Sequence, residues 1–370
     1  MCPGGLRWPY RGRGDLMSDL SRDTGSGSRL AAARPTMKDV ATRAGVALKT
    51  VSRVVNGEPG VTPATTTRVK HAIEDLGFRR NESARLLRTG RTSALGIIAD
   101  DFGDADTASL CRGIEDVARE RGMLLFTGST DGLPDQEQRL ALSLTARRVD
   151  GLVIAPAPGD HSYLAPEIAA GTATVFVLRP PTGLDAGSMR ADTVLADERG
   201  GAQSAVAHLI AYGHRRIGLL ASGVGEHRSR QLREGYGDAM AQAGLMPEDA
   251  WTTLTAQRLL DSSVTAVFCG NRAQTMLALR ALAAADQSSK IAIVGFGDSP
   301  LAEYVRPGLT VISYDPAEIG RTAARLLFRR LDGEGGPARL VEVPTKLIAR
   351  GSGEVSPPLG RVISPRSPAR

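Results

Sequence analysis

Leu48, Lys49, Ser52 and Arg53 fall on one side of a short helix-length segment whose other side carries Val51, Val54 and Val55. An ammonium, a guanidinium and a hydroxyl held on one helix face can donate to base edges and phosphates in a major groove. Arg53 or Lys49 suits guanine O6/N7, at ~1–3 kcal/mol of discrimination each, whereas Leu48 offers only an apolar contact such as a thymine methyl would accept. The flanking residues predict how that face is held. Thr36, with Asp39 three residues on, is a conservative variant of a capping box. Val40 and Ala44 are apolar at helical spacing, and Gly45 is a helix stop. Thr36 to Gly57 therefore reads as two short helices and a tight turn, a helix-turn-helix with its recognition helix second. The alternative is an ordinary αα-hairpin with a solvated basic face. A third helix follows, with Thr62 as N-cap, Pro63 at its first position, Val69, Ile73 and Leu76 on one face, and Gly77 closing it. The N-terminus after Thr62 adds backbone donors for phosphate.

A short basic segment comes next, Asn81-Glu82-Ser83-Ala84-Arg85-Leu86-Leu87-Arg88. With it, the chain resembles the LacI/GalR (lactose-repressor) family of bacterial transcription regulators. The matching residues are Lys38-Asp39-Val40-Ala41, Ala44-Gly45-Val46, Thr50 through Asn56, Val61-Thr62, Thr65, Asn81 and Ala84-Arg85-Leu87. The likeness runs roughly from Met37 to Arg350. It implies a DNA-contacting set of Lys38, Leu48, Lys49, Thr50, Ser52, Arg53, Asn56 and Thr62, with Leu48, Lys49 and Arg53 reading the major groove. It also implies a hinge helix, Asn81 to Arg88, that folds on DNA through Asn81, Ala84, Arg85, Leu87 and Arg88. Leu87 matches the leucine wedge of the minor groove; plain packing in a linker is its alternative. Wedging costs roughly a few kcal/mol per unstacked step, which favours a two-fold dimer on a pseudo-palindromic operator. Two departures stand out. Ala47 replaces the family's usual Ser, a cap worth ~1 kcal/mol, and Arg80-Asn81 replaces Pro-Asn.

Charge is unevenly spread. Residues 36–91 hold eleven Lys/Arg against five acids, whereas residues 92–350 hold 26 basic and 31 acidic side chains. A basic headpiece on an acidic body suits a phosphate-binding module joined to a sensor. A length of 370 residues exceeds one ordinary core. From about Thr92, apolar strands alternate with amphipathic helices, the pattern of doubly wound parallel α/β sheets that bind ligands beyond the strands' carboxyl ends. The resemblance implies two such subdomains of periplasmic-binding-protein-like type with a cleft between them. The expected fold is thus an all-α helix-turn-helix headpiece with a hinge helix, plus two doubly wound α/β subdomains. The expected divisions are a disordered extension (1–35), headpiece (36–80), hinge (81–91), effector-sensing and dimerisation domain (92–350) and disordered tail (351–370). Residues 1–35 are Gly- and Arg-rich without the apolar centre of a signal peptide, and Met17 or Met37 is the alternative start.

The cleft departs from the sugar-binding pattern. The arginine expected three residues before Gly235-Tyr236 is Leu232, the expected Asn-Asp is Asn271-Arg272, and Gly295-Phe296 is followed by Gly297, with Asp298 one place late. Pocket candidates are Asp101, Arg179, Arg230, Asn271 and Asp298, with surface charge at the cleft rim as the alternative for each. The ligand is expected to be an acidic metabolite met by Arg272 and Arg230, or there is none. No catalytic residue, metal site or cofactor is expected. Cys2, Cys111 and Cys269 are scattered, His208 and His214 stand six apart, and there is no dinucleotide fingerprint, Walker lysine or GxSxG elbow. The rivals are an enzyme or a cytoplasmic or secreted small-molecule-binding protein on the same scaffold. The expected partners are double-stranded operator DNA, a small-molecule effector (a sugar or another metabolite) and a second copy of the chain. A tetramer stays open, though the tail has no leucine heptad. The expected location is the cytoplasm, on the nucleoid; no apolar run is long enough to span a membrane.

Overall fold

The computed structural model describes residues 35–79, 92–184, 190–223, 225–246, 249–252, 254–287 and 290–358. The chain divides into two compact units, within Met1–Glu82 and Ser83–Arg370. In the first, α1 (Met37–Ala44), α2 (Leu48–Asn56) and α3 (Pro63–Leu76) close around Val40, Ala41, Ala44, Val51, Val69 and Ala72. The local cap and stop residues act as expected. Thr36 Oγ1 accepts from the Asp39 N–H at 3.4 Å while Asp39 Oδ2 accepts from the Thr36 N–H at 2.8 Å, and Thr62 Oγ1 accepts from the Thr65 N–H at 3.4 Å. Gly45 and Gly77 end their helices at φ 62° and 61°, where a Cβ would be strained. α2 starts at Ala47 with no side-chain cap.

The second unit runs β1 (Ala94–Ala99), α4 (Ala105–Glu120), β2 (Leu124–Ser129), α5 (Pro134–Ala146), β3 (Gly151–Ile154), α6 (Ala165–Ala169), β4 (Ala173–Val177) and β5 (Asp192–Ala196). It continues α7 (Glu198–Ala211), β6 (Ile217–Leu220), α8 (Glu226–Gln242), α9 (Asp249–Thr252), β7 (Ala266–Cys269), α10 (Arg272–Ala284), β8 (Ala292–Phe296) and β9 (Thr310–Ser313). It closes with α11 (Pro316–Leu331), β10 (Leu340–Val343) and β11 (Lys346–Ile348). Two sheets form, in the orders β10-β5-β4-β3-β1-β2 and β11-β9-β8-β7-β6. The first is parallel throughout; in the second only β11 runs antiparallel, against β9. The central strands are continuous apolar runs because helices cover both their faces. β10 and β11 are partly exposed edge strands.

The chain passes between the sheets three times. After β5 it enters α7, which lies against α8 and the second sheet; after β9 it enters α11, which returns to α4 and the first sheet; and β10 leads straight into β11. α4 and α11 meet through glycine. A Cβ at Gly113 would stand 2.0 Å from the Ala317 carbonyl oxygen, and one at Gly320 2.0 Å from that of Leu110.

The expected disordered tail is corrected over residues 351–358, which are placed against the second sheet. Ser352 is buried; its Oγ donates to the Ile293 carbonyl at 2.7 Å and accepts from the Thr310 N–H at 2.9 Å. Glu354 accepts from Thr310 Oγ1 at 2.8 Å and meets His208 Nε2 at 2.5 Å. These partners are distant in sequence, so composition alone could not reveal them. Among the described residues no helix is long and apolar enough to cross a membrane.

Gly320→Ala must push α11 off α4 by moving backbone. The expected cost is about 2 kcal/mol, within the range for overpacked cores, read as a lowered unfolding temperature with no change in an exposed control such as Gly336→Ala.

Candidate nucleic-acid interface and cleft

The α2 face is built by its buried side. Val51 is fully buried and Val54 and Val55 pack beside it, which leaves Leu48 (51% exposed) and Lys49 outward. Thr50, Ser52, Arg53 and Asn56 are half-buried. Arg53 is less free than its helical position suggests, because its guanidinium lies over the α2–α3 connection, 3.8 Å from where a Gly60 Cβ would be. Asn56 donates to Ser52 Oγ at 3.3 Å and Glu58 Oε1 at 3.0 Å. Thr62 is engaged as the α3 cap, and Lys38 is exposed in the first turn of α1. Asn81, Ala84, Arg85, Leu87 and Arg88 lie outside the described residues.

In the second unit four of the five candidate side chains leave the carboxyl ends of parallel strands, and Arg230 lies within α8. Arg179 follows β4 and reaches Asp100, after β1, at 2.5 Å. Its aim comes from a tight turn in which Leu178 holds φ 65° and the Arg179 N–H donates to the Val177 carbonyl at 2.7 Å. Such a conformation costs a non-glycine residue roughly 1–3 kcal/mol. Asp100 Oδ1 and Arg179 Nε are buried with no hydrogen-bond partner among the described residues. Asp101 is exposed and accepts from the Gly103 N–H at 2.7 Å.

Across the cleft, Asn271 follows β7 and caps α10, accepting from the Gln274 N–H at 2.7 Å. Asp298 follows β8 and takes a bidentate pair from Arg350, at 2.9 and 2.8 Å. Partial burial works to raise its carboxyl, but Arg350 and the Ser299 N–H hold it below its usual value. Arg230 faces elsewhere, into a cavity of about 570 Å³ lined by Ser222, Gly225, Ser229 and Arg233 and by none of the other candidates. The five residues therefore do not converge on one point. Arg272 is not an open receptor for an acid either, since it reaches across the cleft to Asp104 and Asp106, each at 2.8 Å.

Sequence reading missed the other charged pair. Glu198, only 5% exposed at the start of α7, lies 3.4 Å from Arg228 Nε, and the Arg228 guanidinium sits 4.6 Å above the Phe296 ring. Thirty residues separate Glu198 from Arg228 in the sequence, so no local motif announces them. Burial pushes the Glu198 carboxyl up to about 7; Arg228 opposes this and Glu342 adds to it.

A basic three-helix module and a two-sheet body with charged side chains at its strand ends define the class of DNA-binding transcriptional regulators. The model of bacterial regulatory proteins of the lacI family matches residues 36–81, and that of the periplasmic binding protein-like domain matches residues 206–353. The HTH-type transcriptional regulator CelR of Thermobifida fusca is 33% identical over 342 residues, covering 86% of this chain and 98% of that protein. The regulator GalR of Escherichia coli (strain K12) is 29% identical over 316 residues, covering 82% and 91%. Among solved structures, the CelR–cellobiose complex superposes with a TM-score of 0.62 at 29% identity, over 86% of this chain and 100% of that one. The lac repressor dimer bound to operator and the anti-inducer ONPF gives a TM-score of 0.72 at 24% identity, over 86% and 99%. The chain belongs to the LacI family. It is a DNA-binding transcriptional regulator, and its relatives are regulators rather than enzymes.

Glu198 makes stability depend on pH. Its folded value, near 7, lies above the ordinary 4.5, so the folded state holds a proton that the unfolded state has released. Its contribution is full below about 4.5 and is lost as pH rises through 7. Glu198→Gln should flatten that decline and raise stability at pH 8 relative to the parent, by up to about 3 kcal/mol, as read from denaturant unfolding across the pH range.

Proposed function

We propose that the chain acts as a homodimer that sets two copies of α2 into a pseudo-palindromic operator, represses by occupying promoter DNA, and responds to a small metabolite in the cleft. The observation that carries this reading is the outward Leu48-Lys49 pair beside Arg53 on a helix fixed by buried Val51. The headpiece is assigned to residues 36–80, the hinge to 81–91 and the sensing body to residues from 92 onward. Exposed apolar side chains on both α/β halves support pairing: Leu124 (67%) and Phe126 on edge strand β2, Met276 on α10, and Leu301 and Tyr304 (76%) after β8. Edge strands with exposed apolar side chains invite a partner chain.

The effector that suits this cleft is neutral and rich in hydroxyls. Arg179, Arg228, Arg272 and Arg350 each already face a carboxylate, so an added acid finds its cations engaged. Hydroxyls can donate to carboxylates and accept from guanidinium groups at once. The cellobiose in the CelR structure accords with that chemistry. Titration calorimetry with neutral sugars and with dicarboxylates tests it: heat is expected from the first set alone.

Fluorescence anisotropy on an operator and its single-base variants, at one fixed salt concentration, tests the DNA reading. Arg53→Ala should lose roughly tenfold or more at one base position, as expected for loss of a base-edge pair, and Lys49→Ala should likewise relax base preference. Equal loss on every sequence would reassign Arg53 to phosphate. Phe126→Asp should shift the sedimentation coefficient toward that of a monomer and weaken operator binding with it.

A further inference from the structure

We infer that Arg272 is a built-in latch that closes the cleft without any ligand, so that an effector works by prying Arg272 away from Asp104 and Asp106. This inference rests on the cleft being the effector site. Arg272 is the first residue of α10 on the second sheet, and its partners belong to the first. Its Nη1 donates to Asp106 Oδ1 at 2.8 Å and to the Asp298 carbonyl at 3.3 Å; its Nη2 donates to Asp104 Oδ2 and Oδ1, at 2.8 and 3.1 Å.

The receiving side is fixed in place. Asp104 caps α4, with Oδ1 accepting from the Asp106 and Thr107 N–H groups at 2.9 and 3.3 Å. Asp106 Oδ2 accepts from the Tyr314 hydroxyl at 2.8 Å. Tyr314 stands where the chain crosses from β9 to α11 and packs against both cores, with its ring 6.0 Å from that of Phe296. The guanidinium thus ties two helix N-termini and a crossing segment together. The group is partly buried: Arg272 is 31% exposed and Asp106 23%, with Asp104 at 45% on its outer side. That shields it from solvent more than a surface pair while leaving it reachable. Displacement needs a ligand that supplies donors to Asp104 and Asp106 and acceptors to Arg272. Hydroxyl groups do both, whereas an anion would satisfy Arg272 and leave two carboxylates facing each other.

Spin labels at Asp135→Cys, at the start of α5, and Glu226→Cys, at the start of α8, report the opening. They go into the full-length chain carrying Cys2→Ser and Cys111→Ser, diluted with unlabelled chain so that only distances within one chain are read. Without DNA or ligand, pulsed electron–electron resonance should give one narrow distance in this parent. Arg272→Ala and Asp104→Ser, the latter keeping a capping hydroxyl, should each broaden it and lengthen it by several ångströms. The double variant should go no further than either single one, as expected for residues of one linkage. An unchanged distribution in Arg272→Ala, or additive lengthening in the double variant, overturns the latch. The measurement uses no effector, so its failure would leave the effector reading of the cleft standing. Absence of any metabolite heat in calorimetry would remove that reading without touching these distances.

Discussion

The body of this regulator depends on three passages of chain between its two sheets. Because α11 is delivered from the second sheet and seated on α4 of the first, each half carries an element that the other half's strand order supplies. Gly113 and Gly320 make the seat possible by letting two backbones approach to a distance no side chain would allow. All three passages leave from the carboxyl ends of strands, at Asp197, at Tyr314-Asp315 and at Pro344-Thr345. The ligand edge of parallel sheets is the same edge. The three crossing segments therefore border the cleft, and a side chain bridging that cleft acts close to them.

The cleft's electrostatics follow from that placement. Four arginines at strand ends or helix starts each meet a carboxylate, and the pairs range from exposed to nearly dry. Arg179–Asp100 and Arg272–Asp104 are partly solvated, so their net worth is modest. Glu198 is the opposite case, a carboxylate taken almost fully out of water, for which Arg228 compensates incompletely. A buried charge with one imperfect partner costs stability. Such costs concentrate where function needs a charge in place, and the strained turn at Leu178 belongs to the same pattern.

How much of this is legible in the sequence depends on whether the determinant is local. The headpiece is readable because a cap and its partner lie three residues apart, as in Thr36 and Asp39, and because helix stops such as Gly45 and Gly77 act where they stand. The buried strands are readable as apolar runs. β10 is not, because Leu340 is 62% exposed and no periodicity marks a short edge strand. The 351–358 segment has the composition of a disordered tail, yet Ser352 and Glu354 are fixed by Thr310 and His208. Asn271 and Asp298 can be placed at strand ends because each follows an apolar run. Their engagements, a helix cap and Arg350, depend on geometry that sequence spacing does not carry.

A ligand shifts a conformational equilibrium only by as much as it prefers one state. In an open, unpaired cleft that preference comes from new hydrogen bonds and packing formed on closure. In a cleft already closed by its own charges, the free state is the closed one, and a ligand acts by substituting for interactions that exist. The differential is then small, because each hydrogen bond made replaces one broken. Coupling between sites in regulators is itself modest, ~1–3 kcal/mol. A cleft whose charges are matched internally is thus well suited to a switch of that size, whereas one with unpaired arginines would bind an anion tightly and respond to little else.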